Sequence, residues 1–143
     1  ELEFFGVDQR HESDIEGLGR IPAEQQLKSD KVPSFNVIGN SPLVLRESLL
    51  DEVYTMGENF VEAAKRVVSP GMNGPFCIEG VYDENAKFRS FEFSARIVAG
   101  SNIYMDGSPY YSLLFNEPMS MGKRIAREIK TATESNQLDK ITT

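Results

Sequence analysis

Cysteine and histidine are nearly absent from this chain, and each absence removes a class of chemistry. Cys77 is the one cysteine among 143 residues. No internal disulfide can form, and thiolates cannot build a zinc cluster. That usage suits a cytoplasmic protein, with Cys77 read as a packed small residue ahead of a nucleophile. His11 is the one histidine, so no His-rich metal site is available. Long apolar runs are also missing. None approaches the roughly 20 residues of a membrane-spanning helix, and no signal peptide is visible. The opening Glu1-Leu2-Glu3-Phe4 lacks a methionine and reads as a piece of a longer protein. Excess positive charge is lacking too. With 22 acidic and 15 basic residues the net charge is −7, which argues against a nucleic-acid surface.

What remains is an ordinary globular balance, 40% hydrophobic and 26% charged, long enough for one domain with a real core. Residues 2–7 predict a strand, 8–14 a polar stretch, 17–22 a loop and 23–28 one or two helical turns. A second strand over 35–38 is closed by Gly39-Asn40-Ser41-Pro42, which reads as a turn. Leu49, Val53, Met56, Phe60, Ala64 and Val67 step by three or four and predict a long helix. Ser48 stands as its cap, unless the helix starts nearer Leu43, and Ser69-Pro70-Gly71 ends it. Two strands, 76–82 and 91–97, flank the polar stretch 83–87 and predict a hairpin. A polar, glycine-bearing loop follows over 99–111. The last helix, 120–134, has Met121, Ile125, Ile129 and Ala132 on an apolar side. Lys123, Arg124, Arg127 and Lys130 form a basic side that reads as solvated. The order predicts an α+β domain, with a mainly antiparallel sheet and packed helices.

The hairpin carries the most informative pair. A two-residue Asn85-Ala86 loop places Glu79 opposite Glu92 and Cys77 opposite Ser94. Glu79, Glu92, Ser94 and Arg96 then share one face, and Phe76, Ile78, Phe91, Phe93, Ala95 and Ile97 the other. Like charges directly opposite are unfavourable, so a cation between them is one reading. Two carboxylates and a nearby arginine suit Mg²⁺ with phosphate. Two solvated glutamates on an outer face is the other reading. A four-residue turn would shift the register, and a one-residue slip would send one glutamate into the core.

Four runs together resemble one family: 39–50 (GNSPLVLRESLL), 70–76 (PGMNGPF), 91–100 (FEFSARIVAG) and 119–130 (MSMGKRIAREIK). From about Leu2 to Ile141 the chain resembles the carboxy-terminal part of the archaeal-type 5-formaminoimidazole-4-carboxamide ribonucleotide synthetases, which are ATP-grasp ligases. The resemblance implies that residues 1–143 form the carboxy-terminal part of an ATP-grasp domain whose upstream half is absent. It implies an ATP-dependent carbon–nitrogen ligase of IMP biosynthesis. Such an enzyme activates formate with ATP and formylates aminoimidazole carboxamide ribonucleotide. It implies Mg²⁺, with Mn²⁺ as the alternative, held by Glu79 and Glu92. Glu12 matches a nucleotide-contacting acid and Asn40 a contact to the aminoimidazole substrate. Ser94 stands where the wider superfamily has an asparagine, so no third side-chain ligand is carried over. Arg96 is well placed by its chemistry to neutralise phosphate or acyl-phosphate oxygens and is taken as the catalytic cation. The resemblance also implies a homo-oligomer. Two other readings stay open: a ligase of this subfamily with a different acid and amine, and a non-catalytic assembly module.

Overall fold

Residues 1–14, 18–30, 32 and 34–141 are described by a computed structural model. Gly17, which opens the expected 17–22 loop, lies outside them. Four strands form two separate antiparallel ladders, β1 (Val7–Glu12) with β2 (Val37–Leu43) and β3 (Cys77–Tyr82) with β4 (Phe88–Ser94). Four α-helices accompany them among the described residues: α1 (Ala23–Gln26), α2 (Leu50–Val67), α3 (Pro109–Phe115) and α4 (Met121–Glu134). Short 3₁₀ turns occupy Glu47–Leu49, Ala99–Tyr104 and Leu138–Lys140. The class is α+β as expected, with two small ladders in place of one larger sheet.

The first strand begins later than its sequence suggested. Residues 2–6 lie outside any strand, and pairing runs through the polar stretch, Val7 to Glu12. The reason is packing. Phe4 lies against Tyr54 and Tyr110, with ring centroids 6.1 and 4.6 Å apart. Phe5 meets Tyr104 and Tyr111 edge-on at 5.6 and 4.8 Å. Leu2 covers the buried Gly57 of α2, where a Cβ would come within 2.8 Å of it. The apolar residues are thus used against helices, and the polar ones form the ladder.

Gly39-Asn40-Ser41-Pro42 is likewise strand, paired with residues 8–11 of β1. Turn preference yields because a complementary strand is at hand. Pro42 is tolerated because a two-stranded ladder asks each strand to bond on one side only.

Helix α2 starts behind a 3₁₀ turn, so Ser48 lies in that turn and Leu49 takes the cap position with no side-chain bond. Asp51 and Glu52 in the first turn and Lys65 and Arg66 in the last complement the helix dipole. The chain leaves the helix at Val68 in extended conformation, as Ser69-Pro70-Gly71 predicted. Phe60 docks the helix on the hairpin, 4.7 Å from Phe76 and 5.0 Å from Phe93.

The hairpin turn is longer than two residues. Tyr82 pairs with Phe88, and the Asp83 amide donates to the Lys87 carbonyl at 2.9 Å. The Asp83 carboxylate accepts from the Lys87 amide, the Arg89 guanidinium and the Asn85 amide, which together hold its carboxyl below the usual range. A bulge then leaves Phe91 unpaired between Ser90, opposite Gly80, and Glu92, opposite Glu79. The odd-length turn and the bulge cancel. Glu79 faces Glu92 and Cys77 faces Ser94, as expected, for a different reason. The second strand runs 88–94 where 91–97 was expected, so Arg96 and Ile97 lie past its end.

The expected 99–111 loop holds a 3₁₀ turn and the start of α3, whose Ser108 hydroxyl accepts from the Tyr111 amide at 3.0 Å. Ser120 caps α4 in the same way, accepting from Lys123. The basic side of α4 is only partly solvated. Arg124 donates to both oxygens of Glu3 at 2.8–3.1 Å and to Glu128 at 2.6 Å. The guanidinium groups of Arg124 and Arg127 sit 5.7 and 5.5 Å from the Phe115 ring centre. A planar cation on a long apolar stem covers an aromatic face that a smaller residue would leave wet. Among the described residues Tyr104, Tyr111, Met119 and Ala132 are the buried hydrophobic side chains, with the Ser108 side chain buried as well.

The hydrogen bonds from Arg124 hold the Glu3 carboxyl below its ordinary value of 4.5. Sign follows from that direction. The pair contributes above pH 4.5 and its contribution is lost as pH falls below it. Charged hydrogen bonds of this kind contribute about 1.5–3 kcal/mol. Arg124→Ala should therefore lower stability to urea by about that much at pH 7, and by less at pH 3. Lys130→Ala, on the exposed side, should stay within about 0.5 kcal/mol.

Candidate functional site

Strand alternation puts Asp8, Arg10 and Glu12 on one face of β1. Asn40 is the ladder partner of Arg10, and its side-chain amide donates to the Asp8 carboxylate. That carboxylate lies against Gly100, where any Cβ would collide with it. The Tyr104 hydroxyl, four residues on, donates to the Val7 carbonyl at 2.5 Å. It also lies 3.3 Å from the Leu43 carbonyl, so one side chain bridges both strands where the ladder begins.

Arg10 joins this ladder to the hairpin. Its Nε meets Glu12 Oε1 at 2.9 Å and its Nη1 meets Glu79 Oε2 at 2.7 Å. The two carboxylates are well covered, with side chains 16% and 18% exposed, while Arg10 is 37% exposed. Glu92 faces Glu79 in register and also borders an open groove of about 790 Å³ between α2 and the hairpin. Asp51, Glu52, Phe60 and Phe93 line that groove as well.

Cys77 lies at the centre of these charges. Burial first, then the negative charges of Glu79 and Asp8, push its thiol up to about 11, with Arg10 and Arg96 opposing. The thiol is protonated at neutral pH and is not an active nucleophile. Its thiolate population at pH 8 is roughly a hundredfold below that of a thiol at 9.0. Alkylation by iodoacetamide at pH 8 should be slower in similar proportion than for free cysteine, and should reach the free rate in denaturant.

Four of the five residues expected to form a site thus come together. Glu12 and Glu79 share one guanidinium, Asn40 is tied in through Asp8, and Glu92 faces Glu79. Arg96 stands at the edge. It donates to the Ile97 carbonyl at 2.9 Å and reaches the cluster through its field at Cys77. Sequence reasoning missed Arg10 and Asp8. Their signal was the alternation Asp8-x-Arg10-x-Glu12, which reads as one strand face once that stretch is taken as strand.

The donors suit a hard dication. Glu79 and Glu92 offer carboxylate oxygens from paired positions, and among the described residues no three His, Cys, Asp or Glu side chains gather into a metal cluster. Carboxylate oxygens are hard donors of the kind Mg²⁺ takes, one or two at a time, beside water and phosphate oxygens. Among the described residues no helix is long and apolar enough to cross a membrane.

An α+β module with a charged seam between two antiparallel ladders is the class these features define. The chain belongs to the family described as Domain of unknown function (DUF1297), which matches residues 1–143. It is similar to a 5-formaminoimidazole-4-carboxamide-1-(beta)-D-ribofuranosyl 5'-monophosphate synthetase of Nitrosopumilus maritimus. The two are 90% identical over 143 residues, 100% of this chain and 42% of the relative. A synthetase of the same name from Cenarchaeum symbiosum is 71% identical, with 100% and 42% covered. Among solved structures, the IMP biosynthesis protein PurP from Thermococcus kodakaraensis matches with a TM-score of 0.75 and 34% identity. That match covers 99% of this chain and 44% of the other. The chain therefore spans less than half the length of these relatives. Their names agree with the resemblance carried by residues 39–50, 70–76, 91–100 and 119–130.

Proposed function

We propose that this chain supplies the metal and phosphate edge of an ATP-dependent ligase site that formylates aminoimidazole carboxamide ribonucleotide with formate in IMP biosynthesis. The carrying observation is the 90% identity along the entire chain to a protein named as the synthetase of the formamido product. Because the relatives are more than twice as long, the reading assigns the rest of the pocket to residues beyond these 143. It takes the domain as the carboxy-terminal part of an ATP-grasp fold, in a cytoplasmic homo-oligomer.

In this reading a formate oxygen attacks the γ-phosphorus of ATP and ADP departs. The substrate amine then attacks the formyl carbon and phosphate departs. Bound Mg²⁺, or Mn²⁺, would offset charge on the transferring phosphoryl oxygens. Glu79 and Glu92 would hold it. Glu12 would contact the nucleotide, and Arg96, just past the end of β4 with one hydrogen bond to the Ile97 carbonyl, would meet oxyanions. Asn40 has a defined orientation. Its amide nitrogen is given to Asp8, which leaves Oδ1 to accept a hydrogen bond from the amine or carboxamide of the ribonucleotide.

The test is Glu92→Gln in the full-length protein, assayed for formate- and ribonucleotide-dependent ADP formation. Activity should fall to background, because a hard dication needs the charged oxygen. In EDTA the same variant should be unchanged or more stable, by roughly 0.2–1 kcal/mol, since one of two facing charges is gone. Retained activity, or a clear loss of metal-free stability, would overturn the assignment of Glu92.

A further inference from the structure

Arg10 has no part in the roles proposed above, yet it is the residue through which Glu12 and Glu79 meet. We propose that Arg10 is a positioning residue that trades partners. It holds Glu79 and Glu12 together while no metal is bound. It turns to the phosphate oxygens of the nucleotide when a divalent cation takes Glu79. This inference rests on the functional reading given above.

Three observations carry it. First, Arg10 contacts Glu79 through Oε2 at 2.7 Å, so a cation claiming that carboxylate competes directly with the guanidinium. Second, the partners are unequal in freedom. Both carboxylates are largely covered, while the arginine side chain is the more exposed member and has room to move. Third, its backbone is fixed opposite Asn40 in the β1–β2 ladder, so any movement of the guanidinium stays within reach of the cluster. Displaced from Glu79, the group keeps five donors in a planar fork, the geometry that matches phosphate in a bidentate contact. Charge favours the exchange as well. Arg10 lies between two carboxylates, Glu12 and Glu79, and Glu92 faces Glu79 in register, so a dication enters a negative site and a nucleotide then restores the demand for Arg10.

A merely structural ion pair would behave differently. Its removal would loosen Glu79 and weaken metal and nucleotide binding alike. Partner exchange predicts shifts of opposite sign. Full-length wild type, Arg10→Gln and Arg10→Lys should be titrated with Mn²⁺ alone, followed by the free-ion paramagnetic signal, and with ADP at saturating Mg²⁺, followed by calorimetry. Arg10→Gln should bind Mn²⁺ about tenfold more tightly. That is the effect of removing one positive charge about 6 Å from a dication at the screening of water. The same variant should bind ADP about tenfold or more weakly, through loss of charged hydrogen bonds to phosphate. Arg10→Lys should return Mn²⁺ affinity to near wild type and recover only part of the ADP affinity, because the point charge is restored and the fork is not.

Weakening of both ligands by Arg10→Gln, or no change in either, overturns the inference while leaving the functional reading in place. A wild-type protein that binds neither Mn²⁺ nor ADP overturns the functional reading and this inference with it. If Arg10→Gln does not fold, Arg10→Lys decides the matter alone. Wild-type Mn²⁺ affinity with weakened ADP supports the exchange, and unchanged ADP affinity overturns it.

Discussion

Residues 2–6 run between helices with no strand partner of their own, and the rest of the fold is placed by what they touch. Leu2 packs on Gly57 of α2, Glu3 is clasped by Arg124 of α4, and Phe4 lies between Tyr54 and Tyr110. Phe5 enters the Tyr104–Tyr111 pocket, and Gly6 lets the Tyr104 ring approach to 3.0 Å of where a Cβ would stand. Aromatic residues bury the most apolar surface per side chain, so this short thread carries a large share of the available hydrophobic stabilisation. A two-stranded ladder is marginal by itself in water. Here β1 continues directly from the anchored thread, and the Tyr104 hydroxyl fixes where the ladder starts. The direction in which Asp8, Arg10 and Glu12 point is a consequence of that anchoring.

Charge joins the two ladders at the site. Arg10 spans Glu12 and Glu79, and the cluster around Cys77 holds acids and arginines close together in a half-covered space. Partly covered ion pairs are stronger than fully exposed ones, because less water and salt screen them. They are also easier to exchange than apolar contacts, since one cation can replace another without leaving a cavity. A seam built from charge can therefore be firm without a ligand and still admit one.

Much of this was legible in the sequence, and the failures share one cause. Long periodic elements were clear, because α2 and α4 each carry an apolar stripe that repeats every three or four residues, half-buried along most of its length and open at Val67 and Ile129. The pairing of Glu79 with Glu92 was also legible, although the turn was misjudged. The unseen bulge at Phe91 compensated, because only registers that keep both glutamates on one face leave them outside the core. What failed was the first ladder. Residues 8–12 of β1 are polar and β2 carries Gly39 and Pro42 past its expected 35–38 start, so local propensity argued for a polar stretch and a turn. Where their pairing starts is fixed by Tyr104, 97 residues from Val7 and 61 from Leu43, which no local window contains. Arg124 was misjudged for a similar reason. Its partner Glu3 stands at the other end of the chain, so the helix alone showed a basic side and nothing to neutralise it.

The position of the site follows from these weaknesses. Glu12 and Asn40 belong to one ladder, Glu79 and Glu92 to the other, and among the described residues neither ladder has a third strand to stiffen it. A ligand touching both sides adds contacts present only in the folded arrangement, so its binding free energy becomes stability of the seam. A site set within one ladder would gain less, since that ladder's geometry is already fixed by its own hydrogen bonds. The hairpin leaves apolar side chains open to solvent. It meets α2 chiefly through Phe60, while Val81, Phe91 and Phe93 stay exposed. The contact that crosses from β1 to the hairpin is the Arg10–Glu79 ion pair at 2.7 Å. The ion pair is thus both the joint between the ladders and the part of the structure most responsive to an incoming charge.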